Sequence, residues 1–364
     1  MKTAIDKIKP EVRAVRAYHL PSLHASVKIN QNENPFNAPE EIRREVLSRL
    51  ERRPWSRYPP FVPTNLLERL ATHTGWRADG ILAGNGSNEL IQAIMTATVS
   101  PGTKVMVIEP TFTLYGQFTK IMGGEVISVL LNDNLTFNVP RIASRQALAK
   151  ADILFLCSPN NPTGCSISER DIRLLLRNTE GLVVVDQAYV EFGGDDFVPL
   201  LAEYPNLIIL RTFSKAMAMA GLRVGYLLAA PELVQEINKA KLPYSINFFS
   251  VTAAEVALER FHYLEPLIDA IKTERNRLFA ELQTIEGLIA VPSGANFILV
   301  RTRIGSEELF EALHARGILV RDVSKYPMLT DFVRITVGTH AENERLLHEL
   351  RVLLEGHSGK HGTM

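Results

Sequence analysis

Lys215 is the residue whose type and surroundings point most directly to chemistry. It follows the apolar segment 207–210 and the hydroxyl residues Thr212 and Ser214. Most lysines lie on the surface, and Lys215 alone would be interpreted as one of them. A lysine that is buried among apolar residues instead has a lowered pKa, and its amine then forms Schiff bases with carbonyl compounds. Lys215 is therefore a candidate for covalent catalysis.

Other polar residues follow similar apolar segments. Asp186 ends one of them and Tyr189 comes three residues later, while Asn161 lies in the sequence SPNNPTG after another. Gly86 and its neighbours open a helix-like segment after Ile81. Each feature alone has an ordinary explanation as a cap, a turn or a loop. Their joint occurrence at the ends of apolar segments favours a common site.

The residue types together match the needs of pyridoxal 5′-phosphate (PLP). PLP requires a lysine amine, a carboxylate opposite its ring nitrogen and a hydrogen-bond donor to its phenolic oxygen. Lys215, Asp186 and Tyr189 fit these roles, with Asn161 assisting the tyrosine. The phosphate requires N–H groups at a helix N-terminus, hydroxyl groups and an arginine. The candidates for the phosphate site are Gly86, Ser87, Asn88, Thr212, Ser214 and Arg223.

These residues need a scaffold, and the hydrophobic pattern predicts an α/β fold. Short β-branched segments predict strands, and amphipathic segments between them predict helices. The predicted strands are 104–109, 125–131, 153–157, 182–186 and 207–210, and the predicted helices are 87–98, 112–122, 140–149 and 168–178. Their alternation predicts a mostly parallel central sheet flanked by helices, which binds ligands at the carboxyl ends of its strands.

The rest of the chain predicts two further parts. Residues 1–40 contain few apolar residues and several prolines, which indicates an arm that packs on the small domain. Long helices are predicted between 248 and 285. The predicted organisation is the arm, a large PLP-binding domain at 41–262 and a smaller α+β domain at 263–364.

Composition excludes several classes of protein. Acidic and basic residues balance at 40 each, so the sequence shows no basic excess of the kind that nucleic acids or acidic membranes usually require. We see no secretion signal and no apolar segment long enough to span a membrane. Two cysteines, Cys157 and Cys165, indicate neither a disulfide scaffold nor a zinc site, so a cytoplasmic protein without a metal is expected.

Competing catalytic motifs do not occur in the sequence. A dinucleotide-binding enzyme would carry G-x-G-x-x-G after its first strand, and a P-loop would carry G-K followed by serine or threonine. Gly359-Lys360 is followed by His361, and a G-x-S-x-G nucleophile motif is missing. A non-catalytic binding protein on this fold would have little need for both Lys215 and Asp186.

The motifs resemble those of the fold-type I aminotransferases, and among them those of the histidinol-phosphate aminotransferase family. The resemblance extends over about residues 18–355. It is carried by INQNENP at 29–35, RYP at 57–59, SPNNPTG at 158–164, DQAY at 186–189, TFSKA at 212–216, AGLRVG at 220–225 and VRITVG at 333–338. Gln187 departs from the family, where glutamate is common, and strand alternation should point it away from the cofactor.

The resemblance implies a role for each residue. Lys215 would bind PLP covalently, Asp186 would pair with the ring nitrogen, and the ring of Phe112 would stack on the cofactor. A homodimer is implied, in which Tyr58 reaches the cofactor phosphate of the partner subunit. The substrate would be held by Asn161 and by three anion-binding residues, which are Tyr18, Arg321 and Arg334.

The implied reaction is transamination between L-histidinol phosphate and 2-oxoglutarate in histidine biosynthesis. Two arginine forks, Arg321 and Arg334, suit a phosphate dianion. An alternative interpretation makes Arg321 a structural ion-pair residue beside Asp322. Two other activities on the same scaffold stay open, an aromatic amino-acid aminotransferase and a PLP-dependent threonine-phosphate decarboxylase.

Overall fold

The N-terminal segment is attached to the C-terminal part of the chain. The computed structural model of the protein describes residues 3–17 and 23–358. A short helix, α1 (Pro10–Ala14), precedes strand β1 (Val27–Lys28), which pairs in parallel with Ile318–Leu319. This pairing joins the first segment to the last third of the chain, whereas the domain boundaries at residues 40 and 262 stay a prediction.

A seven-stranded sheet forms the centre of the protein. Its strands are β2 (Ile81–Gly84), β3 (Lys104–Glu109), β4 (Glu125–Leu130), β5 (Ile153–Cys157), β6 (Leu182–Asp186), β7 (Leu207–Thr212) and β8 (Gly225–Leu228). Their order across the sheet is β2-β8-β7-β6-β5-β3-β4. The five strands from β3 to β7 run parallel, and β8 is antiparallel to both of its neighbours. The predicted α/β class with a mostly parallel sheet is confirmed.

Helices cover both faces of this sheet, which explains why its central strands are apolar throughout. Every residue of β5 and β7 is buried, and side chains from alternate positions belong to two separate apolar cores. The surrounding helices are α2 (Glu40–Glu51), α3 (Thr64–Thr74), α4 (Ser87–Thr98), α5 (Leu114–Ile121), α6 (Val139–Ala149), α7 (Glu169–Arg177), α8 (Pro231–Lys239) and α9 (Phe248–Glu259). Strands that are buried on both faces read as continuous apolar segments, as the sequence indicated.

A smaller four-stranded sheet lies beyond the long helix α10 (Glu265–Gln283). The remaining elements are β9 (Leu288–Val291), β10 (Phe297–Thr302), α11 (Ser306–Ala315), β11 (Ile318–Leu319), β12 (Arg321–Asp322), β13 (Phe332–Thr336) and α12 (His340–Ser358). The sheet order is β12-β13-β10-β9, and all three pairings are antiparallel. Its apolar face packs into a separate core that includes Val27 of β1.

The strands whose ends carry polar residues are not all neighbours, because antiparallel β8 separates β2 from the adjacent trio β5, β6 and β7. Helix α5 begins at Leu114, two residues later than predicted, so Phe112 lies before the helix. No helix within residues 3–17 and 23–358 has the length and apolar character that a membrane span requires.

Candidate active site

A cavity of about 250 Å³ opens at the carboxyl ends of β5, β6 and β7. It collects most of the residues that the sequence singled out for chemistry. Those that line it are Ser87, Asn88, Phe112, Asn161, Asp186, Tyr189, Thr212, Ser214, Lys215, Arg223, Arg321 and Arg334. They come from segments scattered over almost 250 positions, and the sheet and the loops around it bring them together.

Lys215 lies in the wall of the cavity, and its environment favours a neutral amine. Its Nζ donates to the carbonyl oxygen of Gln31 at 3.0 Å and lies 5.9 Å from the ring centre of Tyr189. Burial and the nearby positive charge of Arg334 lower the pKa of Lys215 to about 7. An amine with this pKa is substantially deprotonated at neutral pH, so Lys215 is able to act as a nucleophile and as a base.

Asp186 ends β6 and is almost completely buried. Its Oδ1 accepts a hydrogen bond from the backbone N–H of Ala188 at 3.0 Å, and its Oδ2 accepts one from the hydroxyl group of Tyr115 at 2.8 Å. Burial raises the pKa of Asp186 to about 6, although these two hydrogen bonds favour the ionised form. The next residue, Gln187, donates to the carbonyl of Asp195 and does not line the cavity, in line with the alternation of side chains along the strand.

The start of α4 forms a cradle for an anion. Gly86 is the N-cap of this helix, with φ 77° and ψ 163°. A Cβ atom at Gly86 would lie 2.4 Å from Nη2 of Arg223, and one at Gly225 would lie 2.3 Å from the backbone nitrogen of Ser87. A side chain at Gly86 would displace the guanidinium of Arg223, and one at Gly225 would displace the start of α4. Both positions therefore require glycine.

Hydroxyl groups complete this cradle. Nη1 of Arg223 donates to Oγ of Ser214 at 3.0 Å, and Oγ1 of Thr212 donates to the same oxygen at 3.0 Å. The free N–H groups at a helix N-terminus, two hydroxyl groups and a guanidinium make a set of donors that suits a phosphate group. The predicted phosphate-binding residues thus lie next to one another.

Tyr189 is held by a residue that the sequence analysis did not assign. Nδ2 of Asn32 donates to the hydroxyl oxygen of Tyr189 at 2.9 Å, which leaves the tyrosine proton available for donation. Asn32 adopts φ 55° and is fixed by hydrogen bonds to Thr336, its backbone N–H donating to Oγ1 at 2.9 Å. Asn296 donates to the carbonyl of Asn32 at 3.1 Å. The motif INQNENP contributes to the family resemblance, but the sequence indicates no role for its second asparagine, Asn32.

The two predicted anion-binding arginines lie at another part of the cavity. Arg334 is buried, and its guanidinium donates to Oδ1 of Asn161 and, at 2.9 Å, to the carbonyl of Asn30. The contact with Asn161 orients that amide so that its Nδ2 is the group able to donate to a ligand. Arg321 lies directly opposite Arg334 across the pair β12–β13, and both line the cavity.

The alternative structural role for Arg321 is not what the geometry shows. Asp322 accepts hydrogen bonds from the backbone N–H of Ser324 at 2.9 Å and from its hydroxyl at 3.1 Å. Across the described part of the chain, no ion pair between Arg321 and an acidic side chain is found. Arg321 is half-buried at the rim of the cavity, where its charge faces a ligand site.

Of the described residues that were predicted for the site, Gly86 and Tyr58 do not line this cavity, and Gly86 contributes as the N-cap of α4. Tyr58 is 82% exposed and stacks on Tyr244 with ring centres 4.7 Å apart, away from the cavity of its own chain. Tyr18 lies outside the described residues. Several other residues of the cavity wall received no role from the sequence, among them Tyr115 and Tyr326. Tyr115 lies three positions after Phe112, in the first turn of α5, and no sequence pattern pointed to it.

The sequence is similar to those of known aminotransferases. The family model for class I and II aminotransferases matches residues 25–350. A histidinol-phosphate aminotransferase from Chlorobium limicola is 36% identical over 350 residues, which cover 96% of this chain and 98% of that protein.

Solved structures give the same result for the fold. The histidinol-phosphate aminotransferase from Clostridium acetobutylicum superposes with a TM-score of 0.83 at 27% identity, covering 91% of this chain and 99% of the other. The enzyme of the same name from Sinorhizobium meliloti, solved in complex with pyridoxal-5′-phosphate, has a TM-score of 0.87 at 23% identity. The superposition covers 97% of this chain and 99% of the Sinorhizobium meliloti chain, and at this level of identity it supports the fold alone.

Proposed function

Because the chain belongs to the family of class I and II aminotransferases, which use PLP, we propose that it transfers the amino group of L-histidinol phosphate to 2-oxoglutarate. The products are imidazole acetol phosphate and glutamate, and the reaction belongs to histidine biosynthesis. The relatives named above carry this activity in their names. The site itself supports the two parts of the proposal, the cofactor and the substrate, in different ways.

The residues present fit PLP. The cradle of Gly86 and Arg223 has no room for a Cβ atom, and its donors are those that a phosphate dianion requires. Asp186 offers a buried carboxylate with two of its acceptor positions filled, which leaves capacity for the protonated ring nitrogen. Lys215 provides the amine that attaches the cofactor, Tyr189 and Asn161 provide donors for its phenolic oxygen, and Phe112 provides the stacking ring.

The observation that carries the substrate assignment is the pair of facing arginines. Arg321 and Arg334 are register partners on antiparallel strands, and like charges in such positions repel each other. The repulsion is relieved when a ligand brings two negative charges between them. A phosphate monoester is such a ligand, whereas the α-carboxylate of an aromatic amino acid carries a single charge. This favours histidinol phosphate over the aromatic amino acids.

The mechanism distributes its tasks among the residues of this chain. When bound, PLP supplies the electron sink that accepts the charge left after a proton is removed from the substrate. Asp186 holds a proton at the ring nitrogen, and Ser214 and Arg223 hold the phosphate. The amine of Lys215, with its pKa lowered to about 7, would remove the proton from Cα of the substrate and would return it to the carbon of the cofactor that had been attached to the lysine. Arg334 and Arg321 orient the substrate through its anionic end.

We also infer that the enzyme is a homodimer to which Tyr58 contributes across the interface. An apolar surface around Tyr58 supports this, since Trp55 is 81% exposed and Leu242 is 72% exposed. A cavity of about 720 Å³ lies beside it, between Pro59 and Tyr244. Large exposed apolar patches mark interaction surfaces. Both cysteines are unpaired thiols, which agrees with a cytoplasmic location.

A spectroscopic titration tests the proposed function. The purified protein with PLP should show the visible absorption band of a lysine-bound cofactor, and Lys215→Ala should not. Histidinol phosphate should remove this band, and 2-oxoglutarate should restore it. A loss of the band with phenylalanine but not with histidinol phosphate would support the aromatic aminotransferase, and release of CO₂ from threonine phosphate would support the decarboxylase.

A further inference from the structure

Tyr115 lines the same cavity as Asp186 and contacts its carboxylate. It belongs to the first turn of α5, and its side chain is completely buried. Its hydroxyl group donates to Oδ2 of Asp186 at 2.8 Å, while Oδ1 of Asp186 accepts from the backbone of Ala188. The two oxygens of the carboxylate are thus bound by two different fixed donors, which sets the plane of the group.

The position of the Tyr115 hydroxyl is fixed by packing on several sides. Its ring stacks on Phe155 of β5 with centres 4.9 Å apart, and the ring of Phe112 meets it edge-on at 5.6 Å. The carbonyl of Tyr115 accepts a hydrogen bond from Oγ1 of Thr119 at 2.8 Å. Because both the ring and its backbone are held, the O–H group is placed at the carboxylate of Asp186, with the thiol of Cys157 also beside it.

Tyr115 also stays a neutral donor. Burial and the negative charge of Asp186 raise its pKa well above the ordinary value of a tyrosine. Cys157, whose strand position pairs with Asp186, is likewise kept neutral, since burial raises the pKa of its thiol. The hydroxyl group of Tyr115 therefore donates a hydrogen bond to the carboxylate of Asp186 and carries no charge of its own.

We propose that Tyr115 is a positioning residue that decides which group carries the proton shared by Asp186 and the ring nitrogen of PLP. A hydrogen bond to a carboxylate oxygen makes the carboxylate a weaker base. With this bond, the proton stays on the ring nitrogen, where the reaction needs it. Without the bond, the buried carboxylate is a stronger base, takes the proton for itself and leaves the ring neutral.

A purely structural role is the competing explanation, in which Tyr115 only fills the space between α5 and the sheet. Tyr115→Phe separates the two, because it keeps the ring and its stacking on Phe155 and removes the hydroxyl alone. A matched control is Tyr226→Phe, which removes another fully buried tyrosine hydroxyl. Tyr226 belongs to β8 and packs in a different part of the core, next to Phe213.

The test uses the complete enzyme loaded with PLP that carries ¹⁵N at the ring nitrogen. In Tyr115→Phe the ¹⁵N chemical shift should move toward that of an unprotonated pyridine. The kcat should fall by about tenfold or more, the effect of one lost hydrogen bond to a charged group, while KM stays within about twofold of the wild-type value. Tyr226→Phe should leave the ¹⁵N shift and kcat unchanged.

A second variant covers the case in which Tyr115→Phe loads poorly with PLP. Replacing Tyr115 with 3-fluorotyrosine makes the hydroxyl a stronger donor, so the ¹⁵N shift should move the opposite way, further toward the protonated form. The proposal is overturned if neither replacement changes the ¹⁵N shift relative to wild type. It is equally overturned if Tyr115→Phe and Tyr226→Phe change stability, kcat and the ¹⁵N shift alike, because Tyr115 is then only a core residue.

Discussion

Gly86→Ala is the substitution that tests the phosphate cradle most directly. Gly86 has φ 77° and ψ 163°, a conformation that is essentially restricted to glycine and costs another residue about 1–3 kcal/mol. The added Cβ would also lie 2.4 Å from Nη2 and 3.1 Å from Cζ of Arg223, so the guanidinium has to move. Arg223 is anchored by Oγ of Ser214 at 3.0 Å and by the carbonyl of Ala220 at 3.1 Å, so moving it breaks both contacts.

The expected loss of cofactor affinity follows from this displacement. A hydrogen bond to a charged group contributes about 1.5–3 kcal/mol, which corresponds to roughly tenfold to a hundredfold in Kd. The assay is a titration of the PLP-free protein with PLP, followed by absorbance. The stability of the PLP-free protein, measured by denaturant unfolding, should fall separately through the backbone strain.

Gly305→Ala is a closely matched control. Gly305 is also the N-cap of a helix, α11, with φ 85° and ψ 148°, but nothing lies within 4 Å of the Cβ position. This variant should carry a similar backbone strain of about 1–3 kcal/mol and bind PLP as wild type does. Equal affinity losses in the two variants, or wild-type affinity in Gly86→Ala, would refute the assignment of the cradle to the phosphate.

Three further predictions concern the substrate, the lysine and the interface. Arg321→Ala should raise KM for histidinol phosphate about tenfold or more and change KM for phenylalanine much less, as steady-state kinetics will show. In the PLP-free protein, the folded state lowers the pKa of Lys215 to about 7, so the unfolded chain binds an extra proton above that pH. Stability should therefore rise more between pH 7 and 10.5 in wild type than in Lys215→Met, as denaturant unfolding across this range would detect. Tyr58→Phe should weaken PLP binding in the dimer by about threefold to tenfold without changing the sedimentation coefficient, and an unchanged Kd would contradict its role across the interface.

The sequence was sufficient for the parts of the fold that local patterns determine. The bounds of β3, β5 and β6 agree with the predicted segments, because strands buried on both faces are apolar along their whole length. Asp186 and Lys215 were predicted for a different reason: each alone has an ordinary explanation, and their joint occurrence with other polar residues after apolar segments indicated a common site.

The contacts that hold these residues could not be predicted in the same way. Asn32 and Tyr189 are 157 positions apart, and Asn32 is fixed in turn by Thr336, 304 positions further along the chain. No local pattern records which of the asparagines between 30 and 34 faces the tyrosine. The choice depends on the path of the segment after β1, which follows from its pairing with β11 in the C-terminal part of the chain.

The same long-range assembly sets the charge of the cavity. Arg223, Arg321, Arg334 and Lys215 converge on it, and Asp186 is a buried carboxylate among the residues that line it. Arg334 and Arg223 are among the charges that lower the pKa of Lys215. In the proposed roles, a phosphate bound by Arg223 and a substrate anion bound by Arg334 would neutralise these charges and raise the pKa of the lysine again. The basicity of Lys215 therefore increases when both anionic sites are filled, which couples the strength of the base to the presence of the substrate from which it removes a proton.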